Sequence, residues 1–267
     1  MKAQRVAGEW FADYVGGGRH PGKGRVIGTL LRLFDGRRLP SVYGPRITVR
    51  ARDATNRFAL LGTLAEDYRD IHAQLLAMAP GECLVDIGAN LGLFTLVASR
   101  HLGPQGRVIA FEPNQATFAD LAGNLAANGC TNVVTLCAGV STATARVAFD
   151  PGPAGHSGVA HISKDGSSAV MVLGGQQVVD LILNVADGRR ITIKIDVEGH
   201  ENQVLDALMP LLGKATVAKL IVEVDADNLA RHGTTRETLF ARLADKGLHP
   251  TVNETRRRHY NEVFVLA

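Results

Sequence analysis

Residues 85–96 read VDIGANLGLFTL, and the fold turns on how this stretch is taken. A short apolar run ends in Asp86, a glycine-bearing turn follows, and an amphipathic run begins at Leu93. Gly88 and Gly92 permit tight turning and close approach of a ligand to the backbone. In an open α/β sheet, ligands bind at the carboxyl ends of the strands. The spacing is Asp-x-Gly-x-Asn-x-Gly and lacks the third glycine of a dinucleotide fingerprint, which disfavours a nicotinamide-dependent oxidoreductase.

Working outward, CLVDIG (83–88) reads as a strand and LFTLVASRHL (93–102) as a helix. RVIAFE (107–112) is a second strand, QATFADLAGNLAAN (115–128) a second helix and NVVTLCA (132–138) a third strand. ITIKID (191–196) and KLIVEV (219–224) follow, with a helix near 200–212 between them. TRETLFARLADKG (235–247) reads as the last helix. HPTV and NEVFVLA close the chain as a pair able to form an antiparallel hairpin. Near-continuous apolar strands alternating with helices predict an α/β fold, a parallel sheet covered on both faces. Upstream of Pro80-Gly81, ITVRA (47–51) and RFALL (57–61) alternate as short strands do, and 66–78 has the period of a helix. We expect a basic N-terminal extension over 1–65 and a main domain over 66–267. The Gly- and Ser-rich stretch 150–176 is long enough for a substrate loop, with His156 and His161 as candidate contacts.

The chain has 267 residues, with 46% hydrophobic and 21% charged residues, ordinary globular values. It has no apolar run long enough to span a membrane and no secretory-signal pattern. Cys83, Cys130 and Cys137 have no metal-ligand spacing and read as reduced, mostly buried thiols. These points together suggest a cytoplasmic protein. The formal net charge of +3 is uneven: residues 19–57 carry 10 basic and 2 acidic side chains. That segment suits an anionic partner, a phosphate-bearing substrate or a nucleic acid, though no stacking aromatics accompany it. Trp10, Phe11 and Tyr14 would dock the N-terminal segment on the domain or on a second subunit, so a homodimer is compatible with the sequence. RRRH (256–259) falls in the turn before the last strand.

Two further motifs carry chemistry. Glu112 ends its strand 20 residues after Gly92, where a carboxylate can accept hydrogen bonds from ribose hydroxyls. ITIKIDVEGHE (191–201) sets Asp196, Glu198, His200 and Glu201 at a strand's carboxyl end, although Glu198 and Glu201 would also suit a first helical turn. Lys194, flanked by Ile193 and Ile195, needs a buried counter-charge, which Asp86 or Glu223 could supply.

VDIGANLG, VIAFEPN and IKIDVEGHE together resemble the FkbM family of S-adenosylmethionine-dependent methyltransferases, over about residues 60–224. The resemblance implies a class I methyltransferase fold: seven strands, mostly parallel, one terminal strand antiparallel. It implies O-methylation of a sugar, glycan or polyketide-type hydroxyl, with S-adenosyl-L-methionine as cofactor. Asp86, Gly88, Asn90 and Gly92 would line the methionine part, Glu112 would hold the ribose, and Pro113 and Asn114 would flank the adenine. Asp196, Glu198 and His200 would face the methyl-transfer site. Asp196 is also a candidate for the cofactor's ammonium, and Lys194 and Glu223 for the substrate. Among the bases we expect His200 first, because imidazole titrates nearest neutral pH. Asp196, Glu198 and Glu223 have the oxygen chemistry of a divalent-cation site. Their spacing is not diagnostic, and no metal is expected. The other readings of the residues are a nucleic-acid methyltransferase tracking phosphates along 19–57, and a nucleoside-binding module without catalysis.

Overall fold

The computed structural model describes residues 23–61, 66–253 and 257–266. The expectation for Trp10, Phe11 and Tyr14 lies outside them, as does Arg256. The chain enters through α1 (Lys23–Leu33), the hairpin β1 (Arg38–Pro40) and β2 (Arg46–Thr48), then α2 (Ala54–Leu61) and α3 (Glu66–Leu76). The alternating core follows: β3 (Cys83–Ile87), α4 (Leu93–Leu102), β4 (Arg107–Phe111), α5 (Gln115–Ala127) and β5 (Val133–Leu136). Short strands β6 (Gly139–Val140), β7 (Ala145–Asp150), β8 (His161–Ile162) and β9 (Ser168–Leu173) come next, and then α6 (Gly175–Ala186). The chain ends with β10 (Ile191–Ile195), α7 (Glu201–Leu212), β11 (Val217–Asp225), α8 (Ala226–Arg231), α9 (Arg236–Ala244), β12 (Leu248–Pro250) and β13 (His259–Leu266).

The main sheet has seven strands in the order β12-β13-β11-β10-β3-β4-β5, and β13 alone runs against the rest. Strand alternation sorts its side chains. Cys83, Val85, Ile87, Ile191, Ile193 and Ile195 pack into one core with α6, α7 and α9. Leu84 and Val108 face the other core, shared with Leu31, Leu39, Ile47, Ala59, Ile71 and Leu96. The segment from α1 to α3 therefore helps to cover one face of the sheet. Asn124, fully buried on α5, ties this cover down. Its carbonyl accepts from the Thr48 backbone and hydroxyl at 2.9 Å each, and its amide donates to Leu91 O at 2.9 Å.

Three expectations need correction. Residues 57–61 belong to a helix rather than a strand, because Asp53 accepts the Asn56 amide at 2.8 Å and starts a helical turn. That side-chain cap overrides the strand-like alternation downstream. The stretch 150–176 is only in part a loop: β8 and β9 fall within it, and β9 pairs antiparallel with β7 and parallel with β6, giving a second sheet of four strands. Cys137 is exposed rather than buried, since it follows the end of β5 at the sheet's edge. Among the described residues no helix is long and apolar enough to cross a membrane.

Asn124→Ala should cost about 2–4 kcal/mol by chemical denaturation, because it strands the Thr48 amide and the Leu91 carbonyl at once. A loss under about 0.5 kcal/mol would mean that the hairpin is held by other contacts.

Candidate active site

The carboxyl ends of β3, β4, β10 and β11 open into a cavity of about 430 Å³. Its first wall is the turn after β3. Gly88 sits at φ +80, and its amide and that of Ala89 both donate to Phe111 O at 3.0 Å. A Cβ on Gly88 would lie 1.8 Å from Asp196 O, so the turn can approach β10 only with glycine there. Asn90, at φ +51, donates its amide to Glu112 Oε2 at 2.9 Å, and Asn114 donates its amide to Glu112 Oε1 at 2.8 Å. Burial pushes the Glu112 carboxyl up to about 7, against the pull of these amides and of Lys194. Each carboxylate oxygen keeps a free lone pair for a ligand.

Beneath this wall, Lys194 is 1% exposed on β10. Its Nζ lies 3.1 Å from Asp196 Oδ2, 3.3 Å from Asp86 Oδ1 and 3.3 Å from Gly88 O. Burial alone would lower its pKa, but Asp196 and Asp86 outweigh burial and keep the amine charged. Asp86 is fully buried, accepts from Thr95 Oγ1 at 2.6 Å and does not line the cavity. It fixes Lys194 from behind. Of the two partners expected for Lys194, Asp86 is found and Glu223 is not; Asp196 takes the second place.

The second wall is acidic. Asp196, Glu198 and Glu223 bring carboxylate oxygens within 4.8 Å of one another. Glu198 adopts φ +54, and its Oε2 accepts from Asn228 Nδ2 at 2.6 Å. Burial raises it to about 8, reinforced by Asp196 and opposed by the Asn228 bond. Glu223, 6% exposed, is pushed well above the usual carboxylate range by burial and then by Asp196 and Glu198. Its Oε2 has no hydrogen-bond partner, and its Oε1 lies 3.6 Å from His259 Nε2. Glu201 closes the turn from below, accepting the Gly199 amide at 3.0 Å, and burial lifts it to about 7.

His200 lines the cavity with Nε2 3.0 Å from Ser141 Oγ. Burial, helped by His232, pulls it down to about 4. The reason for ranking it first among the bases therefore fails: at neutral pH it is an uncharged and weakly basic imidazole. Gly92 and Asn114 also stand apart from the cavity. A Cβ on Gly92 would meet Leu121 Cδ1 at 2.4 Å, so this glycine serves helix packing. Asn114 caps α5, accepting from Ala116 N at 3.0 Å.

Gly88, Asn90, Glu112, Pro113, Lys194, Asp196, Glu198, His200, Glu223, His156 and His161 all line the cavity. The two histidines flank a single turn of 3-10 helix, Ser157–Val159, laid across α2: His156 precedes it and His161 opens β8. There Ser157 N donates to Asp53 Oδ2, Gly158 N to Thr55 Oγ1 and Ala54 N to Gly155 O, each at 2.9 Å. Sequence reading missed Thr55, Phe58, Tyr68 and Asn228 as lining residues. For Asn228 a signal existed: Asp225 caps α8 by accepting the Asp227 and Asn228 amides, a pattern visible as Asp225-x-x-Asn228.

A family model described as "Methyltransferase FkbM domain" matches residues 86–247. The hexuronic acid methyltransferase AglP of Haloferax volcanii is 29% identical over 187 residues, covering 70% of this chain and 72% of that protein. The crystal structure of a methyltransferase FkbM from Methylobacillus flagellatus KT superposes with a TM-score of 0.51 at 16% identity. That alignment covers 91% of this chain and 59% of the other, so the likeness is one of fold and the chain spans about three-fifths of that structure.

Gly88→Ala should lower stability by about 3 kcal/mol or more, combining left-handed strain with overpacking against the Asp196 carbonyl. Gly123→Ala on α5, where a Cβ meets nothing within 4 Å, should leave thermal stability unchanged or raise it. Equal melting temperatures for the two variants would contradict the tight approach of the two turns.

Proposed function

The chain belongs to the FkbM family of S-adenosylmethionine-dependent methyltransferases, and we propose that it methylates a hydroxyl of a sugar, glycan or polyketide-type acceptor. The observation that carries this reading is the juxtaposition, in one cavity, of Glu112 with the carboxylates of Asp196 and Glu198. The hexuronic acid activity of the relative from Haloferax volcanii supports a sugar acceptor.

The residues present fit the cofactor. The free lone pairs of Glu112 suit two vicinal hydroxyls, as a ribose offers. Pro113, Gly139 and Val140 supply an apolar slot beside it, and Gly88 and Asn90 border the opposite end. Bound there, S-adenosylmethionine supplies an electrophilic methyl on a sulfonium. The chain's task is to hold an acceptor oxygen in line with that methyl and to take up the hydroxyl proton. Asp196 is the proton acceptor we assign, and Glu198, which burial raises to about 8, is assigned as a hydrogen-bond partner that orients the acceptor hydroxyl. Lys194 fixes Asp196 through Oδ2, and Asn228 fixes Glu198 through Oε2, so each presents its other oxygen to the cavity without a large loss of side-chain freedom. Thr55, Phe58, His156 and His161 lie on the side contributed by α2 and the 156–162 segment, and we assign the acceptor to that side.

Asp196→Asn and Glu198→Gln should each lower kcat by about 10²–10⁴-fold, with S-adenosylhomocysteine binding retained in calorimetry. Full turnover in both variants would remove them from the reaction. Glu112→Ala should abolish micromolar S-adenosylhomocysteine binding. In the wild type, the Glu112 carboxyl stands near 7 in the free protein, and ribose donors favour its charged form. Affinity should therefore be full above pH 8 and fall as pH drops through 7 to 6. Affinity that is flat across that range would show that Glu112 does not meet the ribose as an anion.

A further inference from the structure

The charges on the second wall do not balance. Asp196, Glu198, Glu223 and Asp225 all line the cavity, and Glu201 lies buried directly beneath. Among the described residues, two basic groups face them. Lys194 is engaged by Asp86, Asp196 and Gly88 O. His259 lies with Nδ1 2.9 Å from Asp225 Oδ2 and Nε2 3.6 Å from Glu223 Oε1. Neutral donors account for three more oxygens: Glu198 Oε2 through Asn228 Nδ2, Glu201 Oε1 through the Gly199 amide, and Asp225 Oδ1 through the Asp227 and Asn228 amides. Glu223 stands out on its own account. It is 6% exposed, and its Oε2 has no hydrogen-bond partner among the described residues. A buried carboxyl with an unpartnered oxygen is costly in such a place, and a ligand that completes it removes that cost.

We propose that Asp196, Glu198 and Glu223 form a divalent-cation site for Mg²⁺ or Mn²⁺ on the floor of the cavity. The ligand atoms are carboxylate oxygens drawn from the ends of two adjacent parallel strands, β10 and β11, and gathered within 4.8 Å. Three carboxylates with no imidazole or thiolate among them select a hard cation over zinc or copper. The site opens to the cavity on one side, so water or acceptor oxygens complete the coordination shell, as magnesium and manganese require. Glu198 reaches the site from a left-handed backbone position and is held there by Asn228. Asp196 is oriented by Lys194 through Oδ2, and its Oδ1 has one lone pair for the metal and one for the acceptor hydroxyl. A cation there would also offset the repulsion that an acid-bearing sugar would meet at this wall.

The test measures metal binding directly and does not depend on turnover. The full-length protein, stripped with chelator, is titrated with Mn²⁺ and free Mn²⁺ is followed by electron paramagnetic resonance. The titration is run with and without saturating S-adenosylhomocysteine. One Mn²⁺ per chain, displaced by Mg²⁺, is expected in at least one of the two conditions. Glu223→Gln and Glu198→Gln should each weaken it by at least on the order of tenfold. Asp206→Asn, on an exposed face of α7, should bind as the wild type does. Retained S-adenosylhomocysteine binding in the variants shows that they are folded. No Mn²⁺ uptake at millimolar concentration in either condition would overturn the site, and so would wild-type affinity in both glutamine variants. Loss of S-adenosylhomocysteine binding by the wild-type protein itself would instead sink the methyltransfer reading, and is scored separately from the metal.

Discussion

One buried cation organises this structure. Lys194 sits in the middle of the main sheet with its amine between Asp86 on the neighbouring strand and Asp196 just past the end of its own. The strand register puts Lys194 directly opposite Asp86. A slip of one residue would turn the lysine into the apolar face occupied by Ile193 and Ile195, leaving two carboxylates without their counter-charge. The ion pair contributes little net stability in itself, since desolvating the three groups offsets most of their attraction. Its effect is on specificity: it makes one register of β10 against β3 far better than its neighbours, and that register aligns the strand ends from which the cavity is built.

The same contact couples the two turns. Gly88 O accepts from the Lys194 amine, and the Gly88 α-carbon is pressed against the Asp196 carbonyl. Asn90 and Asn114 then give their amides to Glu112. On the other side, Glu201 receives the Gly199 amide, while Asn228 holds Glu198. Gly88, Asn90, Glu198 and Gly199 all have positive φ, and Asn90 and Glu198 hold that conformation with a side chain, so local backbone strain is present where these turns interlock. A shift of either turn would disturb both the Glu112 side and the acidic side.

Much of this was legible in residues. The strands β3, β4 and β10 show as short apolar runs ending in an acid, and their helices as clear periods, because burial on both faces leaves little ambiguity in the pattern. Glu112 and the Asp196-Glu198 pair stand out because acids at strand ends have few structural duties. The failures have physical causes. In 57–61, local capping by Asp53 decided the conformation, and alternation misled. In 150–176, strands β8 and β9 are stabilised by pairing with β7 rather than by their own propensity, which a Gly- and Ser-rich composition hides. His200 ranks first by the free-solution titration of imidazole, and only three dimensions reveal that burial and His232 lower it. Gly92 and Asn114 lie apart from the cavity, and the sequence hides this for a simpler reason: a glycine needed for packing and an asparagine needed for capping look the same in sequence as ones that touch a ligand.

The cavity has two halves with different dependence on the fold. The half around Glu112 and Gly88 hangs on the sheet register and on buried charge, so change there propagates into the core. The half around Thr55, Phe58, His156 and His161 is carried by α2 and the 156–162 segment. These are distant in sequence and joined mainly by the bonds of Asp53, Ala54 and Thr55 to residues 155–158. Side chains such as Phe58, His156 and His161 can be exchanged without moving a strand or exposing an ion pair. Motifs rigidly tied to the sheet therefore announce the reaction class, whereas the side of the cavity assigned above to the acceptor is built by segments whose composition the sheet does not constrain. That division of labour is the physical reason why the sequence speaks clearly about methyl transfer and softly about what receives the methyl group.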